Sequence, residues 1–316
     1  MDRAATIDAV RLSGEMMRAG SKSFAAASLL FDPQTRRSVR LLYAWCRHCD
    51  DVIDGQTLGF GLKPASSRDP QLELARLRQQ TTEALAGHTM RDPVFQGFQI
   101  VMGAHQIPAR HAFEHLDGFA MDVAGRAYTS IDDTLNYCYH VAGVVGVMMG
   151  RIMGVRDDAT LDRACDLGLG FQLTNIARDI VEDANAGRCY LPLEWLTEAG
   201  LTRANFAEPR HRRQLFGVVA RLLATADAYY ASSRLGLVAL PLRSSWAVGT
   251  ARSVYRRIGR EILRAGPDPW ITRVSTSHAQ KLLSACSGAA TTLDSRTRTR
   301  FTTATPRSGL WTRPKG

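Results

Sequence analysis

Gln172-Leu173-Thr174-Asn175-Ile176-Ala177-Arg178-Asp179-Ile180-Val181-Glu182-Asp183 is the stretch that decides how this chain is read. Gln172, Asn175, Asp179 and Asp183 recur at spacings of three and four, so on a helix they form one polar stripe. Leu169, Phe171, Leu173, Ile176, Ile180 and Val181 fill the other faces, which makes the helix largely buried. A buried stripe of amides and carboxylates is costly unless it is paired or bound to a metal. Hard oxygen donors without His or thiolate suit Mg²⁺ or Mn²⁺ rather than zinc, and magnesium usually completes its shell with substrate phosphates.

A second stretch, Tyr43-Ala44-Trp45-Cys46-Arg47-His48-Cys49-Asp50-Asp51-Val52-Ile53-Asp54, repeats the pattern. Asp50 and Asp54 share a helical face, Arg47 and Tyr43 continue it, and Asp51 points about 100° away. Alone, this is a solvated acidic face balanced by Arg47 and Arg40. Beside the first stripe it reads as the other half of a metal site: Asp50, Asp54, Asn175, Asp179 and Asp183 are the candidate ligands. Arg47 and Arg178 stand next to these aspartates, where a departing diphosphate needs cations for its developing charge. Gly20-Ser21-Lys22-Ser23 precedes an apolar helix; it is either an ordinary N-cap or a phosphate cradle of N–H groups, hydroxyls and a cation. Cys46-x-x-Cys49 has no second ligand pair for zinc, and Gly168-x-Gly170 lacks the third glycine and the strand of a dinucleotide site.

Outward from these motifs the period remains helical. Helices are expected over Phe24–Ile53 (broken at Asp32-Pro33), Gln71–Ala86, Pro93–Met102, Ala109–Ala124, Ile131–Met153, Ala159–Asn185, Pro192–Glu198, Arg210–Ser232 and Ser244–Ala265. Alternating Val/Ile runs are scarce and no linker divides the chain before residue 270. The reading is one all-α domain over residues 1–290. Net charge is +10, but the last 26 residues, 291–316, carry six basic residues against Asp294 alone. That segment lacks an apolar period and is rich in Thr, so it is expected to be a disordered basic tail. With the surplus concentrated there and no recognition motif, a nucleic-acid partner is not expected. No apolar h-region marks the N-terminus, and the longest apolar run, Val141 to Gly150, is half a bilayer span. The six cysteines then read as reduced thiols in the cytoplasm.

Tyr137-Cys138-Tyr139-His140-Val141-Ala142-Gly143-Val144-Val145-Gly146 resembles the first signature of the squalene and phytoene synthase family. Leu167-Gly168 through Gln172, Asn175, Arg178-Asp179, Asp183, Arg188, Tyr190 and Pro192 resembles the second, and Asp50 to Asp54 resembles the family's first aspartate-rich motif. The resemblance runs from about Ser21 to Tyr255 and is strongest to the bacterial phytoene-forming members. It implies an isoprenoid-synthase helical bundle around a central apolar cavity, both aspartate motifs facing across it. It implies head-to-head condensation of two geranylgeranyl diphosphate molecules, through prephytoene diphosphate, to 15-cis-phytoene in carotenoid biosynthesis. Mg²⁺ or Mn²⁺ is implied as cofactor; NADPH, which squalene-forming members use, is not. Tyr43, Gln172 and the Gly20–Ser23 turn would join the diphosphate contacts, and Tyr137, Tyr139 and Tyr255 would line the cavity. Dehydrosqualene or squalene synthesis from farnesyl diphosphate is the competing reading. A lipid-soluble product further implies peripheral contact with a membrane surface, for which the basic tail is the candidate, and neighbouring carotenoid-pathway enzymes as partners.

Overall fold

The computed structural model describes residues 3–56, 69–268, 270, 278–298 and 307–315, and among them every regular element is helical. The first part of the chain forms α1 (Arg3–Gly20), α2 (Lys22–Ser28), α3 (Pro33–Asp54), α4 (Pro70–Leu85), α5 (Pro93–His105) and α6 (Ala109–Val123). Then come α7 (Ile131–Cys138), a π-helical turn over Tyr139–Gly143, α8 (Val144–Ile152), α9 (Asp158–Asn185) and α10 (Leu193–Glu198). The last helices are α11 (Arg212–Arg234), α12 (Leu242–Ala265) and α13 (His278–Arg298). α1 and α13 fall outside the stretches that periodicity marked. The expected helix over Ile131–Met153 is interrupted by the π turn.

Local chemistry sets the helix starts. α3, α4 and α5 each open on an Asp-Pro pair: Asp32, Asp69 and Asp92 accept hydrogen bonds from first-turn N–H groups, and the proline that follows has no N–H to leave unpaired. α3 ends at Gly55, whose φ of 69° is the left-handed cap that glycine takes without strain. That cap stops the helix one residue after Asp54, so the aspartates occupy its last turn.

α9 is the central helix, packed on α8, α11 and α12. Its approach to the π turn and to α8 is backbone to backbone: a Cβ on Gly168 would overlap the Ala142 carbonyl, and one on Gly146 would overlap that of Ala164. Between α3 and α5 Trp45 stacks on Phe98 at 4.3 Å between centroids, both fully buried. No helix among the described residues is long and apolar enough to cross a membrane.

The expected disordered tail is corrected. Residues up to Arg298 continue α13, and residues 307–315 lie against α9; residues 299–306 fall outside the described set. Arg307 forks onto fully buried Asp166 at 2.6 and 2.9 Å. Arg313, only 2% exposed, reaches Asp162 at 2.7 Å and Asp158 at 2.8 Å. Trp311 packs beside Tyr139, 5.4 Å between centroids. The physical reason is on α9: Asp158, Asp162 and Asp166 form an acidic stripe at four-residue steps, on the face away from the aspartates of the cavity. The basic segment neutralises it.

Candidate active site

A cavity of about 910 Å³ opens among α3, α6, α8, α9 and α12. The C-terminal turns of α3 and α9 bring Asp50 and Asp54 to it from one side and Asn175, Asp179 and Asp183 from the other. Toward the N-terminal half of α9 the lining is mostly apolar, with Leu167, Val145, Met149, Met153, Leu237 and Val248, beside Thr160, Arg163 and Ser233. Between Ala164 and Asp183, α9 spans roughly 28 Å at its ordinary rise. One elongated space therefore has a charged end and a greasy end.

Cations are interleaved with the acids. Arg47 forks between Asp50 at 2.8 Å and Asp51 at 2.9 Å. Arg178 holds Asp179 through Nε at 2.8 Å and Nη2 at 2.5 Å. Arg188, just beyond α9, donates to Asp54 Oδ1 at 2.5 Å. Burial pushes the Asp50 carboxyl up to about 7, Asp54 beside it adds to the rise, and Arg47 opposes it. The Asp50 side chain keeps 40% of its surface open, and that surface faces the cavity. Asp183 is likewise pushed up to about 7, first by burial and then by Asp179. This end of the cavity has more negative charge than its arginines relieve.

Two buried polar atoms there have no partner: Asn175 Oδ1 and Arg47 Nε. The Asn175 amide nitrogen is spent on Gln172 Oε1 at 3.3 Å, which leaves its carbonyl as a free oxygen donor. Among the described residues, no three His, Cys, Asp or Glu side chains converge closely enough to hold an ion by themselves. The oxygen donors instead stand as a pair on α3 and a trio on α9. An ion bound to either set would take further ligands from outside the protein, as Mg²⁺ does from phosphates. With that completion, the donors fit a hard divalent cation.

Gly20, Ser21 and Lys22 line the same end. A Cβ on Gly20 would come within 2.5 Å of the Tyr43 hydroxyl, so this position is kept open for Tyr43. Ser21 caps α2 by accepting from Phe24 N at 3.2 Å, the ordinary N-cap role. Lys22 is exposed at the rim, and the Ser23 side chain lies outside the described set. Burial pushes the Tyr43 phenol up to about 12, so it is a hydrogen-bond donor at neutral pH. Tyr255 stacks on Phe171 at 4.2 Å, with Phe24 edge-on, and these rings wall the cavity below the charged end.

The two tyrosines of the 137–146 motif part company. Tyr137 lines the cavity, stacks on Tyr190 at 4.6 Å and donates to Asp122 at 3.1 Å. Tyr139 does not reach the lining: it is fully buried and its hydroxyl donates to Glu114 at 2.8 Å. Residues two apart point to different sides of a helix, so only one of the pair was able to face inward. Asp122, Arg188 and Tyr190 were not among the expected site residues, yet all three line the cavity. Asp122 accepts from Tyr190 at 2.8 Å as well as from Tyr137, and burial pushes it up to about 6. Arg188 and Tyr190 had a signal, since both stand in the signature around Asp183. Asp122, a single acid near the end of α6, had none.

Comparison with known proteins bears on this geometry directly. The squalene/phytoene synthase family profile matches residues 17–280. The 15-cis-phytoene synthase of Pantoea ananas is 55% identical over 303 residues, covering 95% of this chain and 96% of that protein. That of a Paracoccus strain is 48% identical over 307 residues, covering 97% and 98%. Among solved structures, a dehydrosqualene synthase in complex with ligand superposes with a TM-score of 0.81 at 25% identity, over 90% of this chain and 96% of that one. Its fold is the isoprenoid-synthase helical bundle that the sequence motifs implied. With the matched region containing both aspartate stripes and the whole apolar cavity between them, the chain belongs to the squalene/phytoene synthase family.

Proposed function

We propose that this protein condenses two molecules of geranylgeranyl diphosphate head to head, through prephytoene diphosphate, to 15-cis-phytoene. Two C–O bonds break, two diphosphates leave and two protons are lost along the way. The observation that carries this reading is the cavity itself, with two carboxylate stripes at one end and an apolar, aromatic-walled space running from it. The identity to phytoene synthases over nearly the whole chain supports the C20 substrate.

Each residue then has a physical task. Arg47, Arg178 and Lys22 hold diphosphate oxygens, and Tyr43 and Gln172 donate to them. Asp50, Asp54, Asn175, Asp179 and Asp183 hold Mg²⁺ or Mn²⁺, which when bound would offset charge on the leaving group. The stacked pair of Phe171 and Tyr255 gives the wall beside the hydrocarbon cation an aromatic surface, and the apolar walls keep water from quenching the cation. Tyr137 is held by Asp122 at the boundary between the two ends. No step in this sequence needs NADPH.

The same reading places the enzyme in the cytoplasm at a membrane surface, since its product partitions into lipid, and near the enzymes that consume that product. Its decisive experiment is incubation with C15 and C20 diphosphates and Mg²⁺ or Mn²⁺, with and without NADPH, followed by hydrocarbon analysis. The expected product is a C40 hydrocarbon with a central conjugated triene from the C20 substrate, unchanged by NADPH. A C30 product with none from C20 would overturn the proposal in favour of dehydrosqualene or squalene synthesis.

A further inference from the structure

α12 borders two separate spaces. Its Val248, Ala251, Tyr255 and Ile258 look into the large cavity. Arg252, Arg256 and Arg260, at four-residue steps on another face, line a separate open cleft of about 450 Å³ together with Arg234 of α11. Ser253 of α12 and Ser287 of α13 also line this cleft, and none of its lining residues is shared with the large cavity.

Like charges four apart on a helix repel, so such a stripe needs counter-charges. Two of the four arginines have one: Arg256 pairs with Asp227 at 2.7 Å, and Arg234 pairs with Asp294. Arg252 and Arg260 make no ion pair with a described carboxylate, although the more distant Asp227 also acts on Arg252 and Asp294 stands in the lining of the cleft. Arg252 is only 7% exposed; among the described residues its one hydrogen bond runs from Nε to the Tyr230 carbonyl at 2.8 Å, so its terminal nitrogens are left to the solvent of the cleft. A nearly buried guanidinium without counter-ion is costly, and a cleft beside it gives the counter-ion room. Planar guanidinium forks with serine hydroxyls between them match the oxygens of a phosphate group, which takes several donors at once.

We propose that this cleft binds a phosphate-class anion of two or more charges, held chiefly by Arg252 and Arg260. The phosphate can come from a soluble ion or from a lipid headgroup, and the two are separable by experiment. Inorganic diphosphate is titrated calorimetrically into the full-length protein in EDTA, using wild type, Arg260→Glu and Arg47→Ala. Arg260 is exposed, so its replacement leaves the fold intact, while Arg47→Ala weakens anion binding in the large cavity only. In parallel, sedimentation is measured with phosphatidylcholine vesicles with and without phosphatidic acid, taking exposed Arg91→Glu as a charge-matched control.

A soluble-ion site shows a diphosphate binding event that survives Arg47→Ala and weakens at least about tenfold in Arg260→Glu. A headgroup site shows instead phosphatidic-acid-dependent sedimentation that Arg260→Glu abolishes and Arg91→Glu does not. If Arg260→Glu matches wild type in both assays, or if Arg91→Glu weakens sedimentation equally and no diphosphate event depends on Arg260, the proposal is overturned.

Discussion

Arg188 Nη2 sits 2.5 Å from Asp54 Oδ1, which joins two residues 134 positions apart and ties the segment after α9 to the last turn of α3. This contact fixes the separation of the two carboxylate sets. It also restrains the acids around it, because Arg188 opposes the rise that burial imposes on both Asp122 and Asp183. The guanidinium is therefore a spacer as well as a counter-charge.

Arg188→Ala is expected to lower turnover by two orders of magnitude or more, in line with the loss of a preorganised charged group at such a site. Arg188→Lys keeps the charge but not the planar guanidinium and is expected to fall between. Excess Mg²⁺ is expected to recover part of the alanine variant's activity, since a cation can relieve the same acids. Steady-state kinetics over a Mg²⁺ series checks this; no change in turnover for Arg188→Ala would contradict the spacer role.

Asp50 and Asp183 give opposite signs for stability and activity. Each has its carboxyl pushed up to about 7 from an ordinary value of 3.8, so between those pH values the folded protein binds more protons than the unfolded chain. Metal-free stability from these two groups is fully present at low pH and is lost as pH rises through about 7. Asp183→Asn removes its share of that loss. In EDTA at pH 8 its melting temperature is expected to exceed the wild type's by about 2–4 °C for each kcal/mol relieved. The same substitution should nearly abolish product formation and shrink the stabilisation that Mg²⁺ gives the wild type. Calorimetry at pH 5.5 and 8, with and without Mg²⁺, measures both, and a destabilised Asp183→Asn at pH 8 would refute the charge argument.

Tyr137 and Tyr139 provide a matched pair two residues apart. Tyr137 faces the cavity and Tyr139 faces Glu114 and Trp311. Tyr137→Phe is expected to lower turnover with little effect on melting, because Asp122 keeps Tyr190 as a partner. Tyr139→Phe removes one buried hydrogen bond, so a loss on the order of 1 kcal/mol in stability is expected, with kcat unchanged. Denaturant melts beside kinetics decide it; the reverse assignment would place Tyr139 in the site.

How far the sequence carried depends on the kind of signal. Both aspartate stripes were legible because helical spacing alone puts Asp50 with Asp54 and Asn175 with Asp179 and Asp183. Arg47 and Arg178 followed as neighbours in sequence. Asp122 was not legible, since its importance comes from contacts with Tyr137 and Tyr190 that only the packing of α6 against α7 and the loop after α9 creates. α1 was passed over although its Met16 and Met17 are core residues packed under α3 and α5. The basic C-terminal segment misled for a related reason. Its arginines looked solvated when read by themselves, and their partners, Asp158, Asp162 and Asp166, lie more than 140 residues earlier in the chain, where spacing gives no sign of the pairing.

That pairing changes what removal of the segment does. Were residues 307–316 only a lipid-binding tail, deleting them would leave stability unchanged and weaken salt-sensitive sedimentation with anionic vesicles. With Arg307 on Asp166 and Arg313 on Asp162 and Asp158, deletion instead strips the cations from one fully buried and one nearly buried carboxylate. Breaking a buried pair from one side costs about 3–5 kcal/mol, because a charge is left in place without its partner. Some of that is offset here by Ser232, which also donates to Asp166. The truncated enzyme is expected to melt several degrees lower, and Asp162→Asn with Asp166→Asn in the truncated chain should recover part of the loss by removing the orphaned charges. Thermal melts of full-length, truncated and truncated double-variant proteins test this. An unchanged melting temperature on truncation would mean that the segment does not hold α9, and the arginines would return to candidacy for the membrane.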